Sequence, residues 1–324
     1  MFGKMKEMLK GKDVKLVFTE GEDPRILTAA AKLRDDKLLI PVLLGDTDKI
    51  NQVASELSLS LDGIELIDPA TYADFDKLVD ELVAIRKGKM TKEQAEASLK
   101  QGNYFGTMLV KTGVVAGLLG GATYSTADTV RPALQIIKTK PGNKIVSSFF
   151  VLARQVDGKD EAYAVGDCAI NIDPSADDLV EIATETAKAA RLFDIDPKVA
   201  LLSYSSYGSG KGESVDKMRT ATETLKGMDL DFPVDGELQF DAAFVPEVGK
   251  LKAPTSKVAG QANTFIMPDI NAGNISYKMA QRFGGFEAIG PILLGLNAPI
   301  NDLSRGTTTQ EVYTMAIVTA ASAL

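Results

Sequence analysis

Short β-branched runs alternate with helical patterns from the start of the chain, and this alternation limits the possible folds more than any other sequence feature. Strands are predicted at residues 14–18, 40–45 and 64–69, and helices at residues 24–35 and 48–57. Pro24 stands in the first turn of the first of these helices, where a missing N–H costs nothing. Strand, helix, strand at this spacing predicts a parallel sheet with crossover helices.

The alternation continues along the chain and restarts once. Near Pro141 a turn-rich segment interrupts it, which predicts the beginning of a second α/β domain. Helices are further predicted at 1–12, 75–87, 91–101, 126–139, 175–193 and 275–283, and from residues 213 and 308 onward. Glycine-rich or strand-like apolar runs occupy 114–121, 145–152, 162–169, 199–204, 232–240, 264–269 and 290–295. The sequence therefore predicts an α/β protein of two domains.

The composition excludes several kinds of catalyst. The chain of 324 residues has no histidine and a single cysteine, Cys168. Ser-His-Asp and Cys-His catalysis and His-ligated metal sites are therefore excluded, and no internal disulfide or Cys-rich zinc site can form. No metal site is predicted. Proton transfer near neutral pH must depend on a carboxylate, a lysine, a tyrosine, the cysteine or the substrate itself.

Charge and hydropathy indicate where such a protein acts. Lysine and arginine number 36 against 44 aspartates and glutamates, which gives a formal charge of −8, and no basic run with interleaved aromatics occurs. This disfavours a nucleic-acid partner. No run approaches the roughly 18–20 apolar residues of a membrane span, and the N-terminal segment lacks the apolar region of a signal peptide. The sequence predicts a cytoplasmic protein that acts on small molecules without a membrane partner.

Two features invite a functional interpretation that the sequence leaves open. Residues 207–212 place glycines and Lys211 before a predicted helix, which suits an anion, but a flexible loop explains them equally well. The segment matches neither the Walker pattern nor the dinucleotide fingerprint. Cys168 could be a nucleophile, although no histidine can activate it and a cysteine on an apolar strand is usually just buried.

Residues 122–132 combine hydroxyl groups, a helix start and a guanidinium. Ser125, Thr126 and Arg131 are the residue types that bind a phosphate, through O–H donors and a bidentate fork. A Ser/Thr/Asp helix cap beside a solvated arginine explains the same residues.

Residues 301–311 repeat this arrangement before the last predicted helix. Thr308 and Glu311 have the spacing of a capping box, which by itself accounts for both residues. In that geometry the Glu311 carboxylate turns back toward the loop that carries Ser304 and Arg305. The capping and functional interpretations of Glu311 are therefore compatible.

Four segments in order resemble the phosphate acetyl/butyryltransferase family, and the likeness runs nearly end to end. They are STADTVRPALQ at 125–135, VDGELQFD at 234–241, PDINAGN at 268–274 and PINDLSRG at 299–306. The resemblance implies a fold similar to isocitrate and isopropylmalate dehydrogenases, with the site in a central cleft between two α/β domains. It also implies that the last helix returns to the first domain. The predicted domains are 1–141 plus 297–324, and 142–296, the second being expected to form a homodimer.

The resemblance also implies a reaction. Acetyl-CoA and phosphate are converted into CoA and acetyl phosphate, and in the reverse direction the CoA thiolate attacks acetyl phosphate directly in a ternary complex. Coenzyme A is then a substrate, and no permanently bound cofactor is expected. The close alternative is phosphate butyryltransferase, which shares the chemistry with a larger acyl pocket. A non-catalytic acyl-CoA-sensing module is the alternative from another class, and a metal-dependent dehydrogenase is disfavoured because its metal-ligand cluster is missing.

The family's site residues fall on this sequence as follows. Glu311 is implied to be the base, at a position where many relatives carry aspartate, and Ser304 to position the thiol. Arg305 is implied to bind CoA or stabilise the thiolate, and Arg86 and Arg131 to hold phosphate. The substrate-binding set, which includes the two hydroxyl residues at the start of the 126–139 helix, is Arg86, Arg131, Thr126 and Ser125.

Overall fold

The computed structural model describes residues 2–324, and these form two compact units. The terminal unit combines Phe2–Pro141 with Leu296–Leu324, and the middle unit is Gly142–Gly295. No helix in the described part of the chain is long and apolar enough to cross a membrane.

The terminal unit is built on a parallel sheet. Its strands are β1 (Lys15–Phe18), β2 (Ile40–Leu44), β3 (Glu65–Ile67), β4 (Gly117–Gly120) and β11 (Ile300–Asp302). Its helices are α1 (Gly3–Leu9), α2 (Pro24–Asp35), α3 (Thr47–Glu56), α4 (Phe75–Arg86), α5 (Lys92–Leu99), α6 (Gly102–Lys111), α7 (Thr126–Pro132) and α13 (Thr309–Ala321), with a π-helical turn at Ala133–Ile137. The strand order is β11-β4-β1-β2-β3, and each pair of neighbours is parallel.

This strand order positions the site. Strands β11, β4 and β1 are neighbours, with Asp302 paired to Gly120 in the ladder. The carboxyl ends of parallel strands lie at one edge of a sheet, which is where open α/β sheets bind ligands. The loops that follow β1, β4 and β11 are therefore brought together although they are far apart in sequence.

Helix α6 fills the core of the terminal unit, and the sequence patterns did not predict it. Residues 103–110 are all buried, and Phe105, Met108 and Leu109 pack in an apolar cluster of this unit. The helix contains Gly102 and Gly106, which have low helix propensity, and no side chain caps its start, so the usual local signals of a helix are missing.

The middle unit holds the second sheet. Its strands are β5 (Ser147–Val156), β6 (Lys159–Gly166), β7 (Val199–Leu202), β8 (Val234–Leu238), β9 (Thr264–Ile266) and β10 (Glu287–Leu294). Its helices are α8 (Ala176–Ala190), α9 (Glu213–Lys226), α10 (Phe240–Phe244), α11 (Pro246–Lys252) and α12 (Ile270–Gly284), with a 3₁₀ turn at Arg191–Phe193. The order is β10-β5-β6-β9-β7-β8, antiparallel from β10 to β6 and parallel from β6 to β8.

Alternate residues of β7 show that this sheet is covered on both faces. Ala200 and Leu202 belong to one apolar cluster, and Val199 and Leu201 belong to another. Successive side chains of a strand point to opposite faces, so each cluster covers one face. A near-continuous apolar run is the pattern expected of such a strand.

Two predicted helices differ from the observed ones for local reasons. The helix predicted at 126–139 divides after Pro132, which lacks the N–H of a regular helix, and a π-helical turn follows. The helix predicted from residue 275 begins at Ile270, because the Asp269 side chain caps it by accepting from the amide of Ala272 at 3.0 Å. The glycine and asparagines of that first turn have low helix propensity and concealed its start.

Candidate active site

Asp302 joins two of the segments that carry predicted site residues. It is the last residue of β11, is 2% exposed, and accepts hydrogen bonds from the hydroxyls of Thr126 at 2.6 Å and Thr129 at 2.5 Å. Burial raises the pKa of Asp302 to about 6, against the lowering effect of these two hydroxyls. The start of α7 is thereby attached to the end of β11, immediately before Ser304 and Arg305.

The loop that follows Asp302 presents Ser304 and Arg305 to solvent. The Leu303 amide continues the ladder by donating to the Gly120 carbonyl at 2.6 Å, and the loop then leaves the sheet. The Ser304 hydroxyl oxygen accepts from the Gly306 amide at 3.2 Å, which orients the side chain and leaves its own proton free to donate. Arg305 is exposed, and its guanidinium has no partner among residues 2–324.

The predicted capping box is present at the start of α13. The Thr308 hydroxyl accepts from the Glu311 amide at 3.2 Å, and Glu311 Oε2 accepts from the Thr308 amide at 2.7 Å. The Thr307 hydroxyl donates to the same oxygen at 3.3 Å. The Glu311 carboxylate therefore does turn back toward the loop of Ser304 and Arg305.

The hydroxyls at the start of α7 are engaged within the protein. Ser125 Oγ donates to Asp128 Oδ2 at 2.7 Å in a second capping box, and the Thr126 proton is donated to Asp302. Arg131 is 56% exposed and pairs with Asp128 at 3.4 Å, a distance typical of a weak surface ion pair. Of the predicted phosphate ligands on α7, Arg131 is thus the one whose donors are largely free.

Arg86 is the most unusual of the predicted residues. It is the last residue of α4, and its Nε is buried without a hydrogen-bond partner in the described structure. Helix α4 packs against the π-helical turn that follows α7, so Arg86 and Arg131 lie on connected segments. No hydrogen bond or ion pair within residues 2–324 joins either arginine to Ser304 or Arg305.

Ion pairing separates the arginines of the chain into two groups. The sequence has nine, and six of them pair with a carboxylate: Arg25, Arg34, Arg131, Arg154, Arg191 and Arg219. In the part of the chain that is described, Arg86, Arg282 and Arg305 have no carboxylate partner. Two of these three are predicted site residues, and an unpaired guanidinium is free to bind an anionic ligand.

Sequence reasoning missed a buried and a half-buried carboxylate at this edge, Asp302 and Glu20. Besides Asp302, Glu20 follows β1 and accepts from the amides of Gly121 at 3.1 Å and Thr123 at 3.0 Å. Burial raises the pKa of Glu20 despite these hydrogen bonds. The one sequence signal for Asp302 and Glu20 is that each residue stands at or just after the end of a strand in a parallel sheet.

In the loop at 207–212, in the middle unit, the amides of Tyr207, Gly208 and Gly210 donate within the protein. The buried Glu237 accepts from the Gly208 amide at 2.7 Å, and its backbone carbonyl accepts from the Tyr207 amide at 3.2 Å. The Gly210 amide donates to Ser205 Oγ at 2.9 Å. With these donors satisfied, the structural interpretation of the loop is favoured over anion binding.

Cys168 has the surroundings of an unreactive thiol. It is fully buried, and burial raises its pKa well above the ordinary value, with the neighbouring Asp167 acting in the same direction. Since the thiolate is the nucleophilic form, this geometry does not support a covalent role.

Asp302 gives a testable dependence of stability on pH. The folded state raises its pKa from 3.8 to about 6, so ionisation of Asp302 opposes folding as the pH rises between these values. The side chain of Asp302→Asn stays neutral at every pH. We therefore expect the free energy of unfolding of the wild type to fall by up to about 3 kcal/mol, relative to that of this variant, between about pH 4 and pH 7. Urea unfolding of both proteins across this range measures the difference, and parallel stability curves would contradict it.

Comparisons with known proteins identify the family and the fold of this chain. The family described as phosphate acetyl/butaryl transferase matches residues 1–320. The phosphate acetyltransferase of Bacillus subtilis (strain 168) is 52% identical over 324 residues, which cover 100% of this chain and 99% of that protein. The structure of a phosphotransacetylase from Streptococcus pyogenes is 54% identical, has a TM-score of 0.95, and covers 99% of this chain and 97% of its own.

A more distant structure shares the fold alone. A putative 4-hydroxythreonine-4-phosphate dehydrogenase from Salmonella typhimurium is 13% identical with a TM-score of 0.52, over 96% of this chain and 100% of that one. The predicted α/β fold class, similar to that of dehydrogenases, is confirmed. Within that class the chain belongs to the phosphate acetyl/butaryl transferase family, as its sequence predicted.

Proposed function

We propose that the chain interconverts acetyl-CoA and phosphate with CoA and acetyl phosphate by direct attack of the CoA thiolate on acetyl phosphate in a ternary complex. The predicted phosphate acetyltransferase activity is confirmed by full-length relatives of that name at about half identity. The mechanism and the residue roles are our proposal. One observation carries them: of the three arginines without a carboxylate partner in residues 2–324, two are Arg86 and Arg305.

Electrostatics gives these arginines their role. Both substrates are anions and the chain has a net charge of −8, so attraction must come from a local cluster of cations. In the proposed division, Arg86 and Arg131 hold the phosphate. Arg305 binds CoA or stabilises its thiolate, while Ser304 positions the thiol by donating its free hydroxyl proton.

Transfer of the CoA thiol proton to a carboxylate is unfavourable unless the site lowers its free-energy cost. Thiols and carboxyl groups of ordinary acidity differ by about 4 pKa units, which makes the transfer uphill by roughly 5–6 kcal/mol. A cation beside the thiol lowers this cost by stabilising the thiolate. Arg305 follows Ser304 directly in the loop after β11, and the proposed base, Glu311, lies in the first turn of α13, where that loop ends.

The activity is tested by following the thioester absorbance of acetyl-CoA with phosphate or arsenate as acceptor. We expect phosphate-dependent consumption that is fastest with acetyl-CoA and slower with propionyl- and butyryl-CoA. Faster turnover of butyryl-CoA would favour phosphate butyryltransferase. Binding of acetyl-CoA without turnover would contradict the proposal and leave an acyl-CoA sensor.

A homodimer formed through the middle unit is also part of the proposal. Helix α12 exposes three large apolar side chains four residues apart, Ile275, Met279 and Phe283, the last 86% exposed. Such a stripe supports burial against a second chain. The cytoplasmic location and the lack of a permanently bound cofactor remain predictions from the sequence.

A further inference from the structure

Arg25 makes an unusually complete set of contacts at the edge of the terminal sheet. Its Nε and Nη2 donate to the two carboxylate oxygens of Asp23, at 3.0 and 2.7 Å. Nη2 also donates to the Ala122 carbonyl at 3.0 Å, and Nη1 donates to the carbonyls of Arg305 at 3.0 Å and Thr307 at 3.1 Å. These bonds use all five N–H groups of the guanidinium.

The start of α2 presets this geometry. Asp23 caps the helix by accepting from the Arg25 amide at 2.9 Å, and Pro24 occupies the first helical position. Burial alone would raise the pKa of Asp23, but hydrogen bonds and charge from Arg25 lower it, so the pair stays ionised. The carboxylate fixes one edge of the guanidinium and aims the other edge at the carbonyls.

The three carbonyls belong to the two loops that carry predicted site residues. Ala122 lies between β4 and the start of α7, and Arg305 and Thr307 enclose Gly306 in the loop after β11. Beyond Leu303 this loop has left the sheet ladder. Arg25 therefore fixes the peptide groups that follow Arg305 and Thr307, the first of which is attached directly to the Cα from which the Arg305 side chain projects.

We propose that Arg25 is a positioning residue for catalysis, which holds the Ser304–Arg305 loop against the loop before α7 without touching substrate. Its donors are all engaged, so it acts through Arg305 rather than on an anion. This inference rests on the proposed function of Ser304 and Arg305. A displacement of about 1 Å in a reacting group can cost on the order of 100-fold in rate.

The same helix provides a matched control. Arg34, at the other end of α2, donates from Nε to Asp35 at 2.8 Å and from Nη1 to the carbonyls of Ser60 at 2.9 Å and Asp62 at 2.5 Å. It is thus also an arginine that pairs with a neighbouring aspartate and fixes a loop through two carbonyls. Its loop, which precedes β3, carries no predicted site residue.

The test compares the kinetics of Arg25→Ala and Arg34→Ala. We expect Arg25→Ala to lower kcat/KM by about 100-fold, mostly through kcat, and Arg34→Ala to change it by less than about threefold. Free guanidinium should restore part of the rate of Arg25→Ala and none of that of Arg34→Ala. Arg25→Lys should remain impaired by about tenfold or more, because an ammonium cannot reproduce the planar fork.

Amide hydrogen exchange provides a readout that does not depend on activity. Arg25→Ala should speed exchange across residues 303–308, and Arg34→Ala should leave this segment unchanged. If Arg25→Ala does not fold, Arg25→Lys takes its place in both measurements. Kinetics of Arg25→Ala no worse than those of Arg34→Ala, or unchanged exchange at 303–308, would overturn the proposal. An inactive wild type, or a fully active Arg305→Ala, would instead refute the proposed function, and the exchange comparison would still test Arg25.

Discussion

Arg305→Ala should lower kcat by about 1,000-fold without disturbing the fold, since removing one charge-stabilising donor from an active site typically costs 100- to 1,000-fold. The Arg305 side chain is exposed and makes no hydrogen bond or ion pair within residues 2–324 that its loss would break. The backbone carbonyl of Arg305 accepts a hydrogen bond from Arg25, and this carbonyl is also present in the alanine variant. The whole effect should therefore appear in turnover and CoA binding, with the melting temperature unchanged.

Arg282 supplies the matched control for this experiment. It is also exposed and lacks a carboxylate partner in the described chain, but it lies on α12 of the middle unit and has no predicted role. Arg282→Ala removes the same charge and should retain activity within about twofold, because all the proposed site residues lie in the terminal unit. Both variants are assayed by phosphate-dependent loss of acetyl-CoA absorbance. Equal activity of the two variants would show that Arg305 has no catalytic role.

The elements that sequence patterns located well are those whose local signals agree with their surroundings. Helix α2 was predicted at 24–35 and is observed at Pro24–Asp35, because a capping aspartate, a first-turn proline and an amphipathic period all indicate the same segment. Helix α6 has no capping side chain at its start and contains Gly102 and Gly106, whose helix propensity is low. In both cases the outcome follows from the capping residues and helix propensities of the segment.

The candidate site contains contacts between residues close in sequence, which local patterns predict, and contacts between distant residues, which they do not. The capping box of Thr308 and Glu311 spans three residues, and the spacing alone predicted it. The contact between Thr126 and Asp302 joins positions 176 residues apart, and that between Arg25 and Arg305 joins positions 280 residues apart. Such pairs depend on strand order, which places β1, β4 and β11 side by side, and no local pattern specifies it.

The Glu311 side chain caps helix α13 and is also the proposed base. Its Oε2 accepts from the Thr308 amide and the Thr307 hydroxyl, so the carboxylate already stabilises the start of α13. A base must also accept the thiol proton, and a carboxylate has further lone pairs with which to do so. The second oxygen, Oε1, has no hydrogen-bond donor in the described structure and is the atom we propose for that role.

Glu311→Gln separates these two functions. A glutamine also completes a capping box, as Gln94 does with Thr91 at the start of α5, so the melting temperature should change little. The amide cannot accept the thiol proton as a base, and we expect kcat to fall by roughly 100- to 10,000-fold. The measurement pairs the acetyl-CoA assay with thermal unfolding.

Asp178→Asn is the control for Glu311→Gln, because it neutralises the corresponding carboxylate in the Ser175 capping box of α8, in the middle unit. It should retain full activity. Glu311→Asp moves the carboxylate by about 1 Å but keeps a group that can accept the proton, so it should be far more active than Glu311→Gln if the position serves as the base. Full turnover in Glu311→Gln, together with loss of activity in Arg305→Ala, would show that Glu311 only caps the helix and that the thiol proton leaves by another route.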